Sequence, residues 1–152
     1  MNEKLTDQEK VFSFLDTHNV CVVSTVRKPN EVDAAPVYFV RVDNDLYFLT
    51  KKLTQKYKNM ELYKNVVLTI IDEENIQVAS IKGEVSFNDN HELVNEMIHK
   101  FTIKLNGKYL LHQVLPALKH KGEMTVAKVV VKSVLLRTYI DNGFPEEIKI
   151  EY

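Results

Sequence analysis

The stretch VCVVSTVRKPNEVDAAPVYFVRVDNDLYFLT, residues 20–50, decides the fold class. It contains runs rich in β-branched and aromatic residues at 20–27, 32–42 and 46–50, which are typical of strands. The separators at 28–31 and 43–45 are turn-rich and too short for a parallel crossover. The sequence therefore predicts neighbouring strands that pair as antiparallel hairpins.

Further strands are predicted along the rest of the chain at 66–72, 76–87 and 124–139, with a terminal strand that ends at Tyr152. Seven antiparallel strands with a few helices favour a mainly β, α+β fold, a closed or partly closed antiparallel β-barrel in one domain over residues 1–152. Pro36 cannot donate a ladder hydrogen bond, so it indicates a sheet edge or a bulge.

Four helices are predicted from capping signals and from apolar residues that recur on one face. The first follows Thr6, whose spacing from Glu9 is that of a capping box, and it runs to about Asp16. A short second helix occupies 54–63, and a third begins after residue 89 and is expected to cover one side of the sheet. A fourth is expected around 110–118, closed by Gly122.

Composition and charge exclude several functional classes. Of the 152 residues 45% are hydrophobic, and the net charge of −1 provides no field that would attract nucleic acid. The chain starts without an apolar signal peptide, and no run reaches the roughly 20 apolar residues of a membrane span, so export and membrane insertion are not expected. A single cysteine, Cys21, allows no intramolecular disulfide and fits a reduced cytoplasmic setting as a small buried hydrophobe.

Common catalytic and cofactor motifs are missing from the sequence. The four glycines form neither a dinucleotide-binding fingerprint nor a phosphate-binding P-loop. His91 and His99 stand eight residues apart, as do His112 and His120, and this spacing favours no metal site. No residue is assigned as a general acid or base.

The informative segment is FLTKKLTQKYKN, residues 48–59, which leads from a strand into the helix capped by Thr54. It holds lysines at 51, 52, 56 and 58 and no acidic residue, although acidic residues are favoured in the first turn of a helix. Backbone amides at a helix start, the hydroxyls of Thr50 and Thr54 and convergent ammonium groups are what a phosphate requires. A plain solvated lysine face is the other interpretation of this segment.

These residues resemble the FMN-binding split β-barrel family whose namesake is pyridoxamine 5'-phosphate oxidase. In that family an aromatic-x-Thr strand end precedes a Ser-Arg-Lys helix start that holds the flavin phosphate. Residues 48–50 followed by 54–56 look similar, with Thr54 at the Ser position and Lys56 at the Lys position. The remaining strands follow in the family's order, so the resemblance covers nearly the whole chain.

The departures from the family pattern concern charge. Gln55 stands at the Arg position of the helix start, a loss of charge that Lys51 or Lys52 would replace. Ala34 and Phe39 occupy the positions of an Arg and a Lys that contribute to the namesake's cofactor site. A family glutamine corresponds to Gln77 if one residue is bulged out.

The resemblance implies a homodimeric FMN-binding oxidoreductase with a small-molecule electron donor and acceptor, related to small bacterial general-stress members. It assigns the phosphate to Thr50, Lys51, Thr54 and Lys56 and lays the isoalloxazine against Ala35, Pro36 and Val37. The second subunit would complete the pocket, with Gln77 or residues around Arg137 and Tyr139 as candidates. The alternatives are a deazaflavin in place of FMN, or a protein on the same fold that only binds flavin or haem.

Overall fold

The computed structural model describes residues 4–106, 123–141 and 143–152. The strands are β1 Val20–Lys28, β2 Glu31–Tyr38, β3 Val40–Val42, β4 Asp45–Lys51, β5 Asn65–Asp72, β6 Gln77–Asn88, β7 Met124–Thr138 and β8 Glu146–Glu151. The helices are α1 Asp7–Thr17, α2 Gln55–Leu62 and α3 His91–Leu105. The helix expected around 110–118 and its closure at Gly122 lie outside the described residues.

All eight described strands belong to one antiparallel sheet; seven follow the order β2-β1-β5-β6-β7-β4-β3, and β8 pairs with β7 outside this order. The sheet divides at strand β7. One edge of β7 pairs with β6 along most of its length, and its other edge pairs with two different strands. Its first half pairs with β4, Thr125 opposite Thr50, and its second half pairs with β8, Ser133 opposite Glu151. The sheet is not closed, and the predicted split antiparallel β-barrel of α+β class is confirmed.

The hairpins predicted at 28–31 and 43–45 are confirmed, and a third hairpin joins β5 to β6. Pro36 lies on the edge strand β2 and is paired with Val22, as expected for a residue without an N–H group. The single strand predicted over 32–42 is wrong, because it is divided into β2 and β3 at Phe39. Phe39 leaves the ladder, donates its N–H to the Asn19 carbonyl at 3.1 Å, and has a fully buried side chain.

The main core is a cluster of buried apolar side chains from the strands and from α1 and α2. The side chains that are 0% exposed include Val23, Phe39, Leu46, Phe48, Met60, Leu68 and Ile81. Val11, Phe14 and Leu15 of α1 join this cluster, and Cys21 is 1% exposed in it, so the prediction of a buried cysteine is confirmed. Burial raises the pKa of the Cys21 thiol to about 12, which keeps it protonated.

Helices α1 and α2 lie toward opposite ends of the strands. His18, which caps the C-terminus of α1, contacts Asp72 at the last position of β5. Asn59 of α2 contacts Thr25 of β1, and Thr25 lies level with the first residues of β5, at the opposite end of that strand. The capping box of α1 is present as predicted, with Thr6 and Glu9 as the reciprocal pair.

Helix α3 covers the opposite face of the β3–β4–β7 part of the sheet. Asn90 caps it by accepting hydrogen bonds from the N–H groups of Glu92 and Leu93. Its buried residues, among them Val94, Met97 and Phe101, pack against Val40 and Val126. In the part of the chain that the structure describes, no helix is long and apolar enough to cross a membrane.

Lys104 of α3 ties this helix to the core. Its ammonium donates to the carbonyls of Phe39, at 3.0 Å, and Leu15, at 3.2 Å, and lies 4.0 Å from the centroid of the Phe39 ring. Burial lowers the pKa of Lys104 from 10.5 to about 8, with Asp16 opposing the shift. The amine still donates when it is neutral.

We expect the stability that Lys104 confers to increase as the pH rises from about 8 toward 10.5. In this window the unfolded chain holds the Lys104 proton while the folded chain has released it, so raising the pH favours the folded state. The measurement is urea unfolding of the wild type and of Lys104→Met on both sides of pH 8. The free energy of unfolding of the wild type should rise relative to the variant, and a difference independent of pH would contradict the assignment.

Candidate functional site

The threonine pair predicted to bind phosphate lies where β4 passes into α2. Thr50 is fully buried, and its hydroxyl oxygen is 3.2 Å from that of Thr54. Thr54 caps α2, donates to the Lys51 carbonyl at 2.7 Å and accepts from the Tyr57 N–H at 3.4 Å. Because the proton of Thr54 points to Lys51, Thr50 is the donor of the pair. The hydroxyls thus fix the cap, and either must rotate before it donates to a ligand.

The amides of the first turn of α2 are the donors that need no rotation. The first N–H groups of a helix have no partner inside the helix, and they carry the positive end of its dipole. The Thr54 side chain accepts from the N–H of Tyr57 in this turn. No acidic residue lies in the first turn, and Lys56 is its second residue, half-buried. The start of α2 therefore has the electrostatic character of an anion site.

Lys51 is the most unusual cation of the segment. It is only 7% exposed, although it ends β4 just before the turn that leads to the α2 cap. Within the described ranges of the chain, no hydrogen bond or ion pair to its ammonium is found. Its stem is covered while the ammonium keeps contact with solvent, since no buried side-chain nitrogen of the described residues lacks a partner. Lys51 is therefore a cation close in sequence to the α2 cap that no carboxylate of the described residues pairs with.

Lys52, the other candidate for that charge, is engaged elsewhere. Its ammonium is bonded to the Asp89 carboxylate and lies 3.7 Å from that of Glu123. The hydrogen bond to Asp89 is the main cause that raises the pKa of Lys52, and the same bond is the main cause that lowers the pKa of Asp89. Both carboxylates are distant from Lys52 along the chain, so no local sequence signal indicates this pairing.

Gln55 turns its side chain away from the helix start. Its amide donates to Asn59 Oδ1 at 2.8 Å, one turn further along α2. Asn59 is 1% exposed and donates in turn to Thr25 Oγ1, at 2.9 Å, and to Asp33 Oδ2, at 2.8 Å. Sequence reasoning missed Asn59; the available signal was an asparagine inside a helix, where this residue type is disfavoured unless its amide has partners.

The side chains predicted to face the isoalloxazine alternate along β2. Pro36 is exposed on the outer face of the sheet, whereas Ala35 and Val37 turn toward the interior and Val37 is 8% exposed. The outer face around Pro36 is apolar, with Val22 37% and Val32 76% exposed. Of the three predicted residues, only Pro36 presents a side chain on this face.

Gln77 lies far from the start of α2 in the same chain. It pairs with Asp72 at the α1 end of the sheet, donates to Thr138 Oγ1 at 2.9 Å and lines a cavity of 650 Å³ beneath α1. Thr50 instead lies across β7 from Asn88, at the far end of β6. At about 3.3 Å per residue, Asn88 and Gln77 are roughly 35 Å apart along the strand. One subunit therefore brings together Thr50, Lys51, Thr54 and Lys56 but not Gln77.

Comparison with known proteins shows to which family the chain belongs. The family model described as pyridoxamine 5'-phosphate oxidase matches residues 7–137. The chain belongs to this family. No curated protein matches the sequence.

Solved structures of similar fold extend over the whole chain. Campylobacter jejuni ChuZ matches with a TM-score of 0.78 and 16% identity over 98% of this chain and 61% of its own. A heme binding protein from Mycobacterium smegmatis gives a TM-score of 0.69 and 10% identity over 98% and 59%. General Stress Protein 26 from Bacillus anthracis str. Sterne gives 0.65 and 18% over 95% and 100%. The chain thus spans about three-fifths of the first two and all of the third.

The structure locates the two positions, Ala34 and Phe39, at which this chain lacks cations of the pyridoxamine 5'-phosphate oxidase family pattern. Ala34 lies exposed on the outer face of β2, beside Pro36, so no cation projects from this position. Phe39 is buried in the core, where its ring lies beneath the Lys104 ammonium. Neither position supplies a cation in this chain.

Proposed function

We propose that this protein binds FMN and holds the flavin phosphate at the start of α2. The observation that carries the proposal is the start of α2, which has no acidic residue in its first turn and follows Lys51, a lysine that is 7% exposed and has no ion-pair partner in the described part of the chain. A phosphate dianion at the helix start would pair with Lys51 and Lys56 and accept from the first-turn amides. The hydroxyl of Thr50 can turn from Thr54 toward the same oxygens.

The outer face of β2 and β1 suits the flavin ring. Pro36 lies there among exposed valines, so a planar apolar ring would remove apolar surface from water. Membership of the pyridoxamine 5'-phosphate oxidase family supports a flavin rather than another phosphate ester. The phosphate at α2 and the ring at β2 would then be held by different elements of the same subunit.

The activity that we infer is an FMN-dependent oxidoreduction of a small molecule. FMN, when bound, supplies the transfer of hydride or electrons. The chain's own contribution is to bind the phosphate, to orient the ring and to exclude water from one face of it. We assign no general acid or base, so a protein that binds flavin without turnover is the second candidate. Haem is a further candidate ligand, because the structurally similar protein from Mycobacterium smegmatis is described as a heme binding protein.

An absorption spectrum of the purified protein after incubation with FMN separates these candidates. Flavin bands that stay with the protein through gel filtration support FMN binding, whereas an intense Soret band would indicate haem. Reduction of an artificial acceptor by NAD(P)H, catalysed by the FMN-loaded protein, would support the oxidoreductase. Tight FMN binding without any turnover would leave a binding protein.

We expect the protein to be a homodimer whose two copies share the flavin pocket. The exposed apolar side chains on the outer face of β1, β2 and β5, among them Val20, Val32 and Ile71, need cover that a second copy would provide. Because Gln77 is distant from α2 in one subunit, it would approach the flavin only from the other copy. Light scattering should report twice the chain mass of 17.6 kDa. A monomer that binds FMN tightly would contradict the shared pocket.

We expect no useful oxidation of pyridoxamine 5'-phosphate by the FMN-loaded protein. Ala34 and Phe39 replace the cations of the namesake, and Phe39 is committed to the core. The measurement is formation of pyridoxal 5'-phosphate with oxygen as acceptor. Rapid turnover would show that cations at these positions are not needed.

A further inference from the structure

A continuous chain of hydrogen bonds joins the start of α2 to strand β2. It begins at Gln55, the first residue of α2, passes through Asn59 and ends at Asp33 and Thr25. Thr25 and Asp33 lie directly opposite each other in the β1–β2 ladder. The connection therefore links the helix to both strands of the hairpin that carries Pro36.

Asn59 uses its whole amide in this connection. Its oxygen accepts from Gln55, and its two N–H protons go to Thr25 and Asp33, with all three distances between 2.8 and 2.9 Å. Because the side chain is 1% exposed, no water replaces a partner that is lost. Such a fully satisfied buried group fixes one relative position of the elements that it joins.

The position that it fixes is the separation between the two parts of the proposed flavin site. Lys56 follows Gln55 directly at the helix start, and Pro36 lies three residues after Asp33 on β2. Movement of α2 relative to β2 would change the distance between a phosphate bound at one and a ring bound at the other. A ligand that spans both elements depends on that distance, and a ligand that contacts only β2 does not.

We propose that Asn59 is a positioning residue for FMN, which holds the phosphate-binding start of α2 at a fixed distance from β2 through Gln55, Asp33 and Thr25. This inference rests on the proposed function. It also gives Gln55 a role. At the position where the family pattern has an Arg, the Gln55 side chain orients Asn59, and lysines supply the positive charge that pairs with the phosphate.

The test reverses the polarity of the connection. In Asn59→Asp a carboxylate faces that of Asp33, so the connection is broken by repulsion. In the double variant Asn59→Asp/Asp33→Asn, the carboxylate at position 59 accepts from Gln55, from Thr25 and from the amide at position 33, so every bond is restored. Tyr57→Phe is the control, because it removes a hydrogen bond of α2, to Glu61, that does not reach β2.

The readout is the ratio of FMN to riboflavin affinity, measured by flavin fluorescence, together with the melting temperature of each protein. We expect Asn59→Asp to reduce the ratio roughly tenfold, the double variant to restore it and Tyr57→Phe to leave it unchanged. A ratio unchanged in Asn59→Asp, or a double variant that regains its melting temperature but not the ratio, would overturn the positioning role. A wild type that binds FMN and riboflavin equally would instead remove the proposed phosphate site.

Discussion

Replacing Lys51 with methionine is expected to weaken FMN binding ten- to a hundredfold, because a charge-assisted hydrogen bond contributes about 1.5 to 3 kcal/mol. Riboflavin, which lacks the phosphate, should bind as before. The fold should keep its stability, since the ammonium has no partner among the described residues and methionine covers the same apolar surface as the mostly buried lysine stem. Fluorescence titration with both ligands and thermal unfolding measure these effects.

Lys52→Met is the matched control for this prediction. Lys52 neighbours Lys51, but its ammonium is paired with Asp89 and Glu123. Its loss should leave FMN affinity nearly unchanged, whereas Lys56→Ala should weaken FMN about tenfold. Equal losses of FMN affinity in Lys51→Met and Lys52→Met would indicate a general effect of charge and would contradict a specific site.

Substituting Gly83 with alanine is expected to destabilise the fold by about 3 kcal/mol. A Cβ at this position would lie 2.5 Å from Val129 Cγ1 and 2.7 Å from the Val130 carbonyl oxygen of β7. The carbonyl belongs to the backbone beside the register shift between β6 and β7, so it cannot move without breaking the ladder. The melting temperature should fall by roughly 10 °C for a domain of this size.

Gly143→Ala separates this close approach from an effect of backbone conformation. Gly143 has φ +85° and nothing within 4 Å of an added Cβ, so alanine meets conformational strain without a clash. Its cost should be about 1 kcal/mol. If Gly83→Ala lowers the free energy of unfolding no more than Gly143→Ala does, the register shift between β6 and β7 accommodates the added methyl group and the prediction is wrong.

The parts of the fold that could be predicted from the sequence depend on local signals. The hairpins follow from short turns, and the caps of α1 and α2 follow from Thr6 and Thr54 beside their helices. The division of the strand at Phe39 was missed because residues 32–42 form one continuous β-rich run. It arises from tertiary contacts, since the core takes the Phe39 ring and Asn19 takes its N–H.

The candidate site, too, was predictable only where its residues are close together in the sequence. The threonines and lysines of 48–59 were found because they are contiguous, and the structure brings the hydroxyls of Thr50 and Thr54 together as expected. Which lysine is paired could not be predicted, because the partners of Lys52 are the residue before β7 and the residue before the α3 cap. Asn59 was missed for the same reason, since Thr25 and Asp33 are distant in sequence.

The most direct test of the account is the affinity of the wild-type protein for FMN compared with riboflavin, measured by fluorescence titration at equal ionic strength. If the start of α2 binds the flavin phosphate, FMN should bind at least about a hundredfold more tightly, because roughly two charge-assisted contacts are added. The difference should shrink as salt is added, since salt screens charge interactions. Equal affinity for the two ligands would contradict a phosphate site at Lys51 and Lys56.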